Sequence, residues 1–209
     1  MNENFYKRNE LLAGKVIKGL ASRNMTGYYA KDAADALEIA LGLIPEGGTV
    51  AMGGSMSAAE IGLVDAVKKG NYRFIDREVI PDRRAAMLAA YDADVFLSSA
   101  NAMTDDGILV NIDGNANRVS AIAFGPKKVI FIVGMNKVCP DLDSAMKRAR
   151  SVAAPANAQR FGLSTPCSKT GSCMDCKSPD TICCQFLVTR FSRHADRIHV
   201  ILVNDTLGF

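Results

Sequence analysis

A chain of 209 residues that is 48% hydrophobic has enough apolar material for a buried core, which excludes a disordered polymer. Its 25 Lys and Arg residues exceed its 22 Asp and Glu by only three, and they are dispersed, so no basic stripe argues for nucleic acid. The opening MNENFYKRNELLAGKVIKGL lacks the apolar core of a secretory signal, and no run reaches the roughly 18 apolar residues of a membrane span; the expectation is a cytoplasmic protein with no membrane partner and with reduced cysteines.

In chain order, the first 24 residues read as a helix, with Phe5, Leu12, Val16 and Leu20 at mostly helical spacing and Asn24 as its stop. A short strand at Gly27–Ala30 precedes a second helix capped by Asp32, with Leu37, Ala40, Leu41 and Ile44 on one face. After the turn Pro45–Gly48, TVAM is a buried strand. GGSMSAAEIGLVDAVKKG then runs from a glycine loop into a helix, where Ser57 and Glu60 have the spacing of a capping box. The alternation continues with a strand at Tyr72–Asp76, a helix from Pro81 to Tyr91 and a strand at Asp94–Ser98. ANAMTDDG reads as a loop, ILVNI as a strand, NANRVSAIAF as a helix and VIFIVG as a very apolar strand. A charged helix from Asp141 is disturbed at Pro155, and a polar segment holding five of the six cysteines follows. QFLVTRF and RIHVILVND close the chain as a hairpin or a pair of edge strands. The fold class is therefore α/β, a Rossmann-like, mostly parallel sheet with helices on both faces, in one domain spanning 1–209 that includes a cysteine-rich loop at 163–184.

Chemistry concentrates where strands end. Gly53, Gly54 and Ser55 follow a buried strand and enter a helix, the place where open α/β sheets bind anionic ligands through free backbone N–H groups. SSANAMTDDGILVNIDGNANRV gathers Asn101, Thr104, Asp105, Asp106, Asn111, Asp113, Asn115, Asn117 and Arg118 at the two ends of one strand. Asn, Asp and Gly are ordinary turn formers, yet Arg118 has the paired donors to clamp a carboxylate or phosphate. Lys137, after VIFIVG, adds a cation at another carboxyl end and has the chemistry of an acid or base. His199 alternates within RIHVILV and reads as a strand side chain. Cys173 and Cys176 form C-x-x-C, and with two further cysteines of the loop they make four ligands suited equally to zinc and to an iron–sulfur cluster; a dithiol redox pair is the competing reading.

GGSMSAAEIGL, NAMTDDGILVNIDGNANRVSAIAFGPKKVIFIVGMNKV, AAPANAQRF, TPCSKTGSCMDCKSPDTICC and ILVNDTLGF together resemble the lactate-utilisation (LUD) domain family, in its single-domain members with a cysteine segment. The resemblance implies the fold of ribose-phosphate isomerases, glucosamine-phosphate deaminases and CoA-transferases. It also implies a ligand set of Cys167, Cys173, Cys176 and Cys183, with Cys184 as a spare, and a context of iron–sulfur and flavin-linked systems that oxidise L-lactate. No counterpart of the CoA-transferase glutamate is evident, Glu60 being read as a capping residue. Three functional expectations result. The first is a protein of organic-acid utilisation that binds a small anionic metabolite at the Gly53/Asn115/Arg118/Lys137 crevice, with a metal at its cysteine loop. The second is an isomerase or transferase acting on a sugar phosphate or CoA ester. The third is a non-catalytic subunit docking onto redox partner subunits.

Overall fold

Helix α1 (Glu3–Ser22) begins where the Asn2 side chain accepts the Asn4 N–H, and it buries Asn9, Ala13, Val16 and Leu20 at helical spacing. Phe5 lies outside that stripe and is 63% exposed. This is a computed structural model in which residues 2–209 are described. The remaining helices are α2 (Ala33–Gly42), α3 (Met56–Glu60), α4 (Leu63–Lys69), α5 (Arg83–Ala89), α6 (Asn117–Ala123), α7 (Leu142–Arg148), α8 (Ala154–Gln159) and α9 (Pro166–Thr170). The strands are β1 (Thr26–Ala30), β2 (Thr49–Met52), β3 (Arg73–Ile75), β4 (Val95–Ser98), β5 (Ala102–Thr104), β6 (Leu109–Asp113), β7 (Lys128–Gly134), β8 (Val138–Cys139), β9 (Gln185–Thr189) and β10 (Ile198–Val203).

Six strands form an all-parallel sheet in the order β1-β10-β7-β4-β2-β3. Alternation along each strand divides its side chains between two cores. Val50, Leu97, Ile130, Ile132, Ile201 and Val203 pack with α2 and α4 on one face. Phe96, Phe131, Val133, Val200 and Leu202 pack on the other with Val16 and Leu20 of α1 and Ile122 of α6. Burial of both faces explains why VIFIVG and VILV are continuous apolar runs.

The expected terminal hairpin is not present. β10 lies between β1 and β7, parallel to both, and all six of its residues are buried, whereas β9 joins a different sheet. An apolar run belongs to a strand covered on both faces, and Val200–Val203 is one, preceded by the buried His199. His199 is buried in it, bonded to the Tyr28 hydroxyl at 3.0 Å and to the Asp196 carbonyl at 3.0 Å.

The second sheet is also absent from the sequence reading. It is four-stranded and mixed, in the order β8-β5-β6-β9, and is assembled from the segments that follow β4 and β7. ANAMTDDG is thus strand β5 and a tight turn rather than a loop alone. Leu109 of β6 and Met103 of β5 point into the α1 side of the main core, while Ala102, Val110 and Ile112 pack on Ala145 of α7 and Ala149 just beyond it. Pro155 does not break that helix. A π-helical turn at Ala149–Ala153 joins α7 to α8 and widens the backbone just where a proline supplies no N–H.

Candidate functional site

Three neighbouring strands of the main sheet, β2, β4 and β7, discharge their chains at one place above their carboxyl ends. After β2 the chain passes Gly53, where a Cβ would lie 2.6 Å from Arg118 Cγ and 2.8 Å from Phe96 Cζ. Gly54 follows in the left-handed region at φ +77°, where glycine is favoured. Ser55, not Ser57, caps α3, accepting the Ala58 N–H at 3.2 Å, so Ser57 is free to turn inward with 1% exposure. After β4 comes Ser99, 8% exposed, and after β7 comes Lys137, 2% exposed.

These three side chains form a triangle. Lys137 Nζ donates to Ser57 Oγ at 2.9 Å and to Ser99 Oγ at 3.0 Å, and Ser99 Oγ donates to Ser57 Oγ at 3.3 Å. Both partners of the amine are neutral hydroxyls. Burial pulls its pKa down to about 7, the positive charges of Arg148 and then Arg118 push the same way, and Glu60 opposes them. The roof is the segment after β10. Leu207 N–H donates to Asn136 Oδ1 at 3.2 Å and Gly208 N–H to Glu60 Oε2 at 2.7 Å. Gly208 has φ +54°, and a Cβ on it would lie 2.9 Å from Ser57 Oγ and 3.3 Å from Lys137 Nζ. Glu60 therefore ties down this roof instead of completing a capping box.

Arg118 reaches the same region but is already engaged. Its guanidinium donates to the Ser99 carbonyl at 3.2 Å, to Asn101 Oδ1 at 3.1 Å and to the Ile112 carbonyl, and Asp113 accepts the Arg118 and Val119 N–H groups at 2.9 and 3.1 Å. It stitches the end of β6 to the loop after β4. Asn101 Oδ1 also accepts the Ile112 N–H at 2.9 Å, and its carbonyl accepts from Arg148. Asn111 is fully buried; its amide donates to the Ser99 carbonyl at 2.8 Å, while its Oδ1 has no partner. Asn117 lines a narrow cleft with Gly53 and Arg77, and Asn115 is exposed. Thr104 is elsewhere, at the β5–β6 turn, where its hydroxyl bonds Asp106 and accepts the Ile108 N–H at 2.8 Å. The acids of that turn pair with α1 and its cap, Asp105 with Lys15 and Asp106 with Arg23.

Ser57, Ser99, Glu60, Asn136 and Gly208 were not among the expected site residues. The one sequence signal for the serines is position, since each follows a strand that ends beside Lys137's.

The cysteine loop lies against the far face of β6. Cys183 packs with Ala102, Val110 and Ile112, the Cys184 N–H donates to the Asp113 carbonyl at 3.0 Å, and Gly114 meets Ile182 Cα at 3.2 Å from its would-be Cβ. All six cysteines are free thiols. Burial, followed by the charges of Cys173, Cys167 and Cys176, pushes the Cys183 thiol up to about 11; Cys184 is not among those influences and is exposed. The four sulfurs thus share one electrostatic neighbourhood. As placed, no group of three or more His, Cys, Asp or Glu among the described residues is close enough to hold a single metal ion. Thr165, 2% exposed, contacts Cys167 Sγ at 3.2 Å through its hydroxyl.

With this geometry in view, the LUD-domain model matches residues 13–203. A crystal structure of a DUF162 family protein from Deinococcus radiodurans is similar in fold, with a TM-score of 0.55 and 12% identity over 94% of this chain and 98% of that one. No curated protein matches the chain. No helix among the described residues is long and apolar enough to cross a membrane.

Proposed function

Because the chain belongs to the LUD-domain family, which implies a role in lactate utilisation, we propose that it binds a small carboxylate anion beside Lys137 and holds a four-thiolate metal centre at its cysteine loop. The observation that carries the first half is a buried lysine whose only partners are hydroxyls. Buried charges are ordinarily paired, and this one has Arg148 and Arg118 for neighbours against one acid, Glu60. A carboxylate placed against Nζ supplies the missing negative charge, and Ser57 and Ser99 supply hydroxyls to its oxygens. Entry requires the Leu207–Gly208 roof to lift. Arg118, expected to clamp the ligand, instead spends its donors on the protein's own carbonyls.

The test is a thermal shift with L-lactate and with pyruvate. Saturating ligand should stabilise the protein by about 2–4 kcal/mol at 100 to 1,000 times its Kd. Lys137→Met should remove that shift, and an equal shift in the variant would overturn the site.

For the second half, Cys167, Cys173, Cys176 and Cys183 are the donor set. A single zinc holds its thiolates at about 2.3 Å and so draws four sulfurs within about 4 Å of one another. Four thiolates suit zinc and an iron–sulfur cluster alike, and the iron–sulfur systems with which the family resemblance associates the chain favour the cluster, which when bound would supply one-electron transfer. Protein purified without oxygen should contain iron and inorganic sulfide and absorb in the visible. Cys173→Ser should lose both, and Cys184→Ser should keep them. Zinc in place of iron would make the loop a structural staple, and metal-free protein would remove the centre.

A further inference from the structure

We propose that Lys137 forms a covalent imine with the carbonyl carbon of a 2-oxo acid, its enclosed amine and the hydroxyls of Ser57 and Ser99 making a Schiff-base site beneath Gly208. This deepens the reading of Lys137 as the anchor of an anionic metabolite and rests on it. The geometry has three parts. Nζ stands over the carboxyl ends of adjacent strands with two hydroxyls at 2.9 and 3.0 Å and no carboxylate among its hydrogen-bond partners. A lysine kept for charge alone is usually paired or at the surface, whereas an amine enclosed among hydroxyls and cations is kept neutral, which is the nucleophilic form. The group above it is a glycine, where a Cβ would lie 3.3 Å from Nζ, so that on this side the amine is covered by backbone and not by a side chain.

The charged groups that act on Nζ are consistent with this. Burial first, then Arg148 of α7 and Arg118 of α6, lowers the amine's pKa to about 7, and Glu60 of α3 works against them. The positive charge of the same two residues favours an incoming carboxylate.

The chemistry balances without an oxidant. The Nζ lone pair attacks the carbonyl carbon, giving a carbinolamine as one amine proton is passed to the former carbonyl oxygen. Loss of the second amine proton and departure of that oxygen as water complete the C=N bond. Ser57 and Ser99, which contact both Nζ and each other, are placed to carry those protons. The products are the imine and one water. L-Lactate has a hydroxyl where a 2-oxo acid has its ketone carbonyl, and it forms no imine.

The experiment uses the full chain with pyruvate and cyanoborohydride, followed by peptide mass mapping. The expected result is a carboxyethyl adduct on Lys137 that accumulates at least about tenfold faster than on surface lysines, because about half of its amine is unprotonated at neutral pH while almost none of theirs is. Ser57→Ala/Ser99→Ala keeps the lysine and should slow labelling of Lys137 by on the order of tenfold or more. Labelling of Lys137 at the rate of surface lysines, or none there, overturns the proposal. If pyruvate still gives a thermal shift in that case, anion binding stands and only the imine falls; if it gives neither shift nor label, both fall.

Discussion

Arg118→Ala is expected to destabilise the protein by about 3–5 kcal/mol, seen as a lower urea midpoint with little change in slope. The guanidinium is mostly buried and donates to three acceptors on two segments, the Ser99 carbonyl, Asn101 Oδ1 and the Ile112 carbonyl. Truncation removes the guanidinium from all three, leaving the Ser99 carbonyl only the Asn111 amide and Asn101 Oδ1 only the Ile112 N–H, and opens a void against Gly53, whose missing Cβ is what admits the Arg118 stem. Arg118→Met separates the two costs, since it restores volume but no donors, and it should recover only the smaller, packing part. A loss under 1 kcal/mol in Arg118→Ala would mean that water replaces the guanidinium and that the β6–β4 seam is not held by it.

The second large effect is on pH dependence. Lys137 has a folded-state pKa of about 7 against an ordinary value of 10.5, so between these limits the unfolded chain carries a proton that the folded chain has released. Stability must therefore rise with pH across that window, by up to about 1.4 kcal/mol per pH unit and on the order of 3–5 kcal/mol in all. Below pH 7 the charged amine costs the folded state the full amount. Lys137→Met removes the titration, and the difference between wild-type and variant stability, measured from pH 6 to 10, should trace this rise. A bound carboxylate should flatten it, because it restores the ammonium form. A pH-independent difference would show that the amine keeps its proton in the folded state and finds its counter-charge elsewhere.

What sequence could disclose was local. VIFIVG, TVAM and the run ending at Ser98 are readable as buried strands because burial on both faces leaves an apolar signature, and their shared carboxyl end follows from the parallel arrangement. That arrangement is what brings Gly53 and Lys137 to the same end of the sheet. Sheet membership was not legible. The β-propensity of QFLVT and of AMT says that they are extended, but not that they leave the main sheet to pair with β6. Ser57 was masked by an equally good local explanation, the capping spacing to Glu60, and only the three-dimensional path shows Ser55 taking the cap and Glu60 holding Gly208. Arg118 illustrates the reverse case. Its chemistry suits an external anion, but residues distant in sequence bring carbonyls to it first. Thr104, Asp105 and Asp106 are polar for the sake of a turn braced on α1.

The position of β10 between β1 and β7 has a consequence for how the molecule comes into being. Thr26 pairs with His199 and Ala30 with Val203, so the earliest strand gains its neighbour only when a segment more than 170 residues further along arrives. During synthesis β1 emerges before the strand it pairs with, and at ordinary elongation speeds of about 5–20 residues per second it waits for roughly 10 to 35 seconds. Sequence-distant pairing of this kind is slow because loop closure precedes any reward. Until β10 arrives, the apolar stripe of α1, Ala13, Val16 and Leu20, lacks the sheet face that it covers in the folded protein. Insertion of β10 carries Leu207 and Gly208 over Lys137, so the amine is enclosed in the step that completes the sheet.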